Sequence, residues 1–355
     1  KEIWINRMET GGAQKMHNHA NSFVSGVVYL NGVDEGQATV FHKNAAQNSF
    51  VMENANRRCK LGPYNAPVFR APAMAPGDMV LFPLAAAARV FAPRARIVTT
   101  AHGTDVAYGL RAGTFPAIYR LFLKGIGLSR RLVDATIANS RATAAHCRRI
   151  GLDPVHVVPL GVRSVRDVPT EPPEDYVLFV GRVDRRKGAG WFAREVMPLL
   201  PKGIRFKVAG TVWSEEDAAD IQACHRAEML GPVFGEDLAR LRRRAIAVVV
   251  PNVPMEGRDF EGFGLTAVEA SADGAVLLAS RIDGIEDAVL DGDTGFSLDP
   301  GQAMLWAQRI EEISDWDNYR RREFLRKSLR TTSLTYTWSR AAAATDSILA
   351  GTPRL

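Results

Sequence analysis

An α/β fold built from two Rossmann-like halves is predicted by three observations. Short apolar runs alternate with helical stretches, a proline-rich break interrupts the alternation near the middle, and the alternation then starts again. In the first half, runs of strand length stand at Ile3–Asn6, Phe23–Leu30, Ala38–His42, Met79–Phe82, Ala95–Thr100, Ala135–Ala138 and Val155–Pro159. A glycine loop, Gly11-Gly12, follows the first, and residues 115–132 have helical period. Residues 44–78 carry no assignable pattern.

The break runs from Arg163 to Tyr176, with Pro169, Pro172 and Pro173. After it come strands at Val177–Val180, Phe206–Ala209, Ala247–Val250 and Val276–Ala279, then a helical stretch over 301–325 and an alanine-rich helix over 335–350. The expected division is therefore residues 1–165, joined by the final segment 335–355, and residues 166–334. Ligands of such sheets bind beyond the carboxyl ends of the strands.

The 355 residues suffice for two cores, and 46% hydrophobic with 24% charged residues is ordinary globular usage. Cys59, Cys147 and Cys224 are odd in number and far apart, which argues against a disulfide framework and for a reducing, cytoplasmic compartment. No apolar run reaches the ~20 residues of a membrane span. Lys1–Asn6 lacks the apolar region of a signal peptide. Charge is uneven: residues 1–165 hold 20 Lys and Arg against 9 Asp and Glu, the remainder 25 against 30. The basic half is expected to face something anionic, such as an acidic glycan, a lipid phosphate or the inner face of the cell membrane. No nucleic-acid module is present, so nucleic acid is not an expected partner.

Four segments carry chemistry. In Phe260–Ala270, Glu261 and Glu269 stand eight positions apart around Gly262, Phe263, Gly264 and Leu265. The glycines permit close backbone approach, and a helix starting near Thr266 offers amides to a phosphate. If most of that stretch is helical, the carboxylates lie about 12 Å apart. This suits a ligand with hydroxyls at both ends and an anionic middle, such as a nucleotide-sugar. In Val180–Gly188, Gly181 permits a turn, and Arg182 and Lys187 supply fixed cations beyond a strand end. Such cations stabilise a departing diphosphate without a metal ion. His102, after the run Ala95–Thr100, and the amides of Gly11 and Gly12 complete the set.

Taken in order, these residues resemble family 4 of the retaining glycosyltransferases, which have the GT-B fold. The likeness extends to Asn139-Ser140, Val158–Val162, Leu230–Val233, Asp291–Phe296 and Tyr336–Trp338; residues 20–78 match it poorly. The resemblance implies a retaining, metal-independent hexosyl transfer from a nucleotide-diphosphate-sugar to a glycan or lipid-linked acceptor. It points to cell-surface polysaccharide, lipopolysaccharide or glycolipid synthesis. It implies that Glu261 contacts the donor sugar, Glu269 the ribose, and Arg182 and Lys187 the diphosphate together with amides near Gly264 and Leu265. His102 would lie near the reacting face and Val233 near the nucleobase. The last helix would cross back to the first domain.

Three features are read structurally. Asp291-Gly292-Asp293 has the form of a metal-binding DxD but lies in a glycine turn. His17 and His19, taken as helical, do not share a helix face and make no metal pair. Glu215-Glu216-Asp217 is a helix start. An epimerase or hydrolase on this scaffold would need a further acid–base pair, and none is evident. A non-catalytic nucleotide-sugar binder would be marked by lost Glu or cation positions, and all four are present.

Overall fold

A computed structural model describes residues 39–43, 50–54, 68–70, 79–80, 97–107, 121, 133–162, 166–255 and 260–351. Two compact units emerge: residues 1–99 with 131–134, and residues 100–130 with 135–355. The proline-rich break connects two α/β series, whereas the compact units part at Thr99–Thr100. The expected elements at Ile3–Asn6, Phe23–Leu30 and, apart from the helical Leu121, 115–132, the Gly11-Gly12 loop, and His17 and His19 lie outside the described residues.

In the first unit, β1 (Thr39–Lys43), β2 (Phe50–Asn54) and β3 (Val68–Arg70) form a sheet in the order β2-β1-β3. Both pairings are antiparallel, with Phe41 opposite Met52 on one side and Phe69 on the other. Of these strands the sequence marks only β1, at Ala38–His42, in a series expected to be parallel, so its antiparallel pairing is a correction. Only six residues separate β1 from β2, too few for the crossover a parallel pair needs. The short β4 (Met79–Val80) does run parallel to β5 (Ile97–Ala101).

The second unit opens with α1 (Thr104–Ala107), β6 (Ala135–Ala138), α2 (Arg141–Arg149) and β7 (Val155–Val157). β6 and β7 are parallel, and Ser140 caps α2 by accepting the Thr143 amide. Beyond the break lies a six-stranded, all-parallel sheet. Its strands are β8 (Glu174–Val180), β9 (Arg205–Ala209), β10 (Ala227–Gly231), β11 (Ala245–Val250), β12 (Leu277–Ser280) and β13 (Phe296–Leu298). Their order is β10-β9-β8-β11-β12-β13. Counted from β8 this is 3-2-1-4-5-6, the doubly wound order whose switch point falls between the first and fourth strands.

Burial explains the sequence of these strands. Along β8, Val177 and Phe179 enter one core while Tyr176 and Leu178 enter the other. β11 is buried at all six positions, so both faces are covered and the run is apolar without alternation. Between strands lie α3 (Ala189–Trp191, continuing as a π turn over Phe192–Val196), α4 (Glu215–Ala223), α5 (Gly235–Arg244), α6 (Leu265–Ala272) and α7 (Ile285–Ala288). As expected, Glu215-Glu216-Asp217 forms the first turn of α4, although Asp217 is buried there. The DxD segment is a turn, with Gly292 at φ 73°.

The stretch expected as one helix over 301–325 is two, α8 (Ala303–Ser314) and α9 (Asn318–Thr335). Asp317 breaks it by capping α9 through the Arg320 amide at 2.7 Å. The final helix, α10 (Trp338–Ala350), starts where Val162 bridges Thr337. No helix among the described residues is long and apolar enough to cross a membrane.

Trp306 on α8 is fully buried, edge-on to Trp191 and Phe192. Trp306→Ala should lower unfolding free energy by about 3–5 kcal/mol, measured by urea denaturation. A loss under ~1 kcal/mol would mean that α8 does not anchor this face of the sheet.

Candidate functional site

The loops leaving β8 and β11, the strands flanking the switch point, meet at Glu261. Lys187 Nζ stands 2.5 Å from Glu261 Oε2, Arg186 Nη1 2.7 Å, and Asn252 Nδ2 donates to the same oxygen at 3.1 Å. Lys187 is fixed in a 3-10 turn whose cap, Asp184, accepts its amide at 2.9 Å. The loops also join directly, the Val253 amide donating to the Arg186 carbonyl at 3.0 Å. Only 16% of the Glu261 side chain is exposed. Burial pushes its carboxyl upward, but Lys187 and Arg186 outweigh that and hold it below the usual carboxylate range.

A third loop grips the same residue from behind. The Glu261 amide donates to Asp283 Oδ2 at 3.1 Å, and the Gly284 amide to the Glu261 carbonyl at 2.9 Å. Asp283 has a positive φ of 50°, a strained setting for a non-glycine residue. Burial raises its carboxyl pKa, against the opposing pull of the Glu261 amide. Burial also lowers the pKa of His146, with Arg149 acting the same way. The His146 ring lies 4.6 Å from that of Phe260.

The fourth loop carries His102. A Cβ placed on Gly262 would lie 2.0 Å from the His102 carbonyl oxygen, so only glycine fits. Asn139 Nδ2 donates to that carbonyl at 3.0 Å, and Thr143 Oγ1 to the Gly262 carbonyl at 3.3 Å. His102 is thereby brought beside the Glu261–Gly262 turn, with its side chain exposed. Gly264 starts α6 at φ 82°, facing Ile285.

The other expected residues stand outside the cluster on Glu261. Glu261 precedes α6 rather than sharing it with Glu269, so the expected largely helical span between them does not form. Arg182 is not on Glu261: it pairs with Asp184 at 3.4 Å and lies over the exposed Trp213 ring at 4.7 Å. Glu269 is held by Arg242 at 2.9 Å. The Phe263 side chain is 2% exposed and faces Tyr336, so only its backbone is placed for a ligand. Leu265 is the first residue of α6 and half-buried, Val233 is half-buried after β10, and Gly181 follows β8 directly. Gly11 and Gly12 lie outside the described residues. Sequence reasoning missed Arg186, Asn252, Asp283, Arg242 and Trp213; only Arg186, adjoining Lys187, and Asn252, directly beyond β11, carried a local signal. Among the described residues, no three His, Cys, Asp or Glu side chains gather as a metal would require.

Comparison with known proteins finds matches over both α/β series. Residues 174–315 match the family model "Glycosyl transferases group 1", and residues 76–166 match "Glycosyltransferase Family 4". Residues 2–96, mostly outside the described residues, match "Putative 2OG-Fe(II) oxygenase". The chain is 30% identical over 238 residues to D-inositol 3-phosphate glycosyltransferase of Paenarthrobacter aurescens, covering 61% of this chain and 56% of that one. It is 28% identical over 200 residues to a Mycobacterium tuberculosis glycogen synthase, covering 54% and 44%. It thus spans about half the length of the curated relatives it matches. Among solved structures, Anabaena HepE in complex with UDP aligns with TM-score 0.60 at 18% identity over 75% of each chain. Sucrose-phosphate synthase from Thermosynechococcus elongatus aligns at 0.57 and 22%, over 72% and 67%. The fold is therefore the α/β GT-B fold.

Glu261→Gln tests the electrostatics. A depressed carboxyl pKa means that the charged form stabilises the fold above the ordinary 4.5, and that this stability is lost as pH falls through the lower, folded-state value. Wild-type melting temperature should therefore drop more steeply than that of Glu261→Gln as pH falls from neutrality past 4.5. Parallel curves would deny the ion pairs their weight.

Proposed function

We propose that the protein is a retaining glycosyltransferase that moves a sugar from a nucleotide-diphosphate-sugar to a hydroxyl of an anionic glycan or lipid-linked acceptor. The carrying observation is the Lys187–Arg186–Glu261 cluster at the switch point of a GT-B sheet. Two cations converge on one carboxylate beside the place where a phosphate would sit. The start of α6 at Gly264 and Leu265 adds amides of the same polarity.

In the proposed reaction the acceptor hydroxyl attacks the anomeric carbon on the face the diphosphate leaves. The bond from that carbon to the phosphate oxygen breaks, and the departing diphosphate takes the hydroxyl proton. Lys187 and Arg186 stabilise the growing charge, Arg182 binding farther along the diphosphate. Glu261 orients the sugar through Oε1, to which no described residue donates. His102 stands near the reacting face, Glu269 holds the ribose, and Val233 borders the nucleobase. Fixed cations in these roles make a metal unnecessary.

The relative named for D-inositol 3-phosphate supports an acceptor with phosphate and hydroxyls together, in keeping with the basic N-terminal half. Such acceptors belong to cell-surface polysaccharide, lipopolysaccharide or glycolipid synthesis, at the inner face of the membrane.

Purified protein given UDP-, GDP-, ADP- and dTDP-sugars with a chelator present should bind one of them and slowly release the nucleoside diphosphate. Binding of none would overturn the reading. With the donor so found, Lys187→Ala should lower turnover roughly 100-fold at a temperature where the variant is still folded. A fully active variant would remove Lys187 from the leaving-group site.

A further inference from the structure

Arg242 lies outside the residues assigned above, and we infer that it is a positioning residue for Glu269, holding that carboxylate in the orientation that grips a ribose. The inference rests on the nucleotide-sugar reading. Arg242 lies in the last turn of α5 among a run of arginines, but it differs from its neighbours. Arg243 and Arg244 reach surface carboxylates, Glu236 for the first and Glu171 and Glu174 for the second. The Arg242 side chain is only 6% exposed and turns inward to α6. Burying a guanidinium is costly unless charged partners meet it.

Two partners do. Nη2 stands 2.9 Å from Glu269 Oε2, and Nη1 stands 2.8 Å from Asp273 Oδ2. Residues 269 and 273 are one helical turn apart, where like charges repel. The planar fork bridges them, which the point charge of a lysine cannot reproduce.

The two carboxylates depend on Arg242 unequally. Asp273 also pairs with Arg166 Nε at 3.1 Å, so it keeps a cation if Arg242 is removed. Glu269 has no other cation among the described residues. Its Oε2 is occupied, while Oε1 accepts no hydrogen bond from a described residue, and 26% of the side chain is exposed. One oxygen is thus anchored inside and the other presented outward. Without Arg242 the carboxylate would rotate freely and would be pushed away by Asp273.

The test compares two ligands by calorimetry: the nucleoside diphosphate bound best among UDP, GDP, ADP and CDP, and its 2′,3′-dideoxy counterpart. Wild type should prefer the ribose form by roughly tenfold or more, the size of one charge-assisted hydrogen bond. In Arg242→Gln the preference should fall below about threefold, while affinity for the dideoxy ligand changes little. Arg242→Lys, which keeps a buried cation should the glutamine variant fail to fold, should also fall below about threefold. Asp273→Asn should lose stability yet keep the wild-type preference, since Arg242 still holds Glu269.

An unchanged preference in a folded Arg242 variant would overturn the inference. So would an equal loss of both ligands, or an Asp273→Asn variant that loses the preference as fully. A wild type that binds both ligands equally would take the ribose from Glu269 and end the inference while leaving the donor site standing. A wild type that binds neither would instead overturn the proposed function.

Discussion

The placement of Glu261 depends on one carboxylate oxygen receiving three donors. Lys187, Arg186 and Asn252 come from the loops beyond β8 and β11, and Glu261 Oε2 is where those loops are tied. Attraction to the two cations outweighs the desolvation of the carboxylate, but stability is the smaller part of what the contacts do. What they fix is geometry. With Oε2 held by three donors, the side chain has one orientation, and the two cations beside it have one location. The depressed carboxyl pKa is the thermodynamic trace of the same contacts.

Side-chain electrostatics alone would leave the Glu261 backbone free to drift. It is clamped by packing main chain on main chain. A Cβ on Gly262 would strike the His102 carbonyl at 2.0 Å, and one on Gly284 would strike the Gly262 carbonyl at 2.1 Å. Three loops are stacked at distances no side chain allows, with Asn139 and Thr143 supplying hydrogen bonds across the stack. The strained Asp283 fits this account: its left-handed backbone points its carboxylate at the Glu261 amide, and that bond helps hold the conformation. Rigid main chain here is what electrostatic preorganisation requires.

Much of this was legible in the sequence, for a physical reason. Strands buried on both faces, such as Ala245–Val250, announce themselves as apolar runs, and the glycines around Glu261 mark close approaches. β10 and β13 were not read as strands because they lie at the edges of the sheet, where Glu228 and Ser297 interrupt the apolar pattern. Arg242 was hidden differently. Nothing in the run Arg240–Arg244 distinguishes the one arginine that faces inward until the helix phase and the carboxylates of α6 are known. The partners of Arg182 were hidden in a similar way: its strand-end position is visible in the sequence, but its contact with Trp213 crosses between loops.

The N-terminal half shows where composition misleads and where it informs. The expected glycine loop at Gly11-Gly12 falls within residues 2–96, which match an oxygenase model, while the transferase match begins at residue 76. The antiparallel strands of 39–70 are likewise foreign to a parallel series. Treating residues 1–165 as one charged body therefore merges two unlike stretches. Counted apart, residues 1–75 hold 8 Lys and Arg against 5 Asp and Glu, and residues 76–165 hold 12 against 4. The basic excess is concentrated in the stretch that matches the transferase family. The case for an anionic acceptor thus becomes stronger when the N-terminal segment is set aside, because the charge stays with the chemistry that would use it.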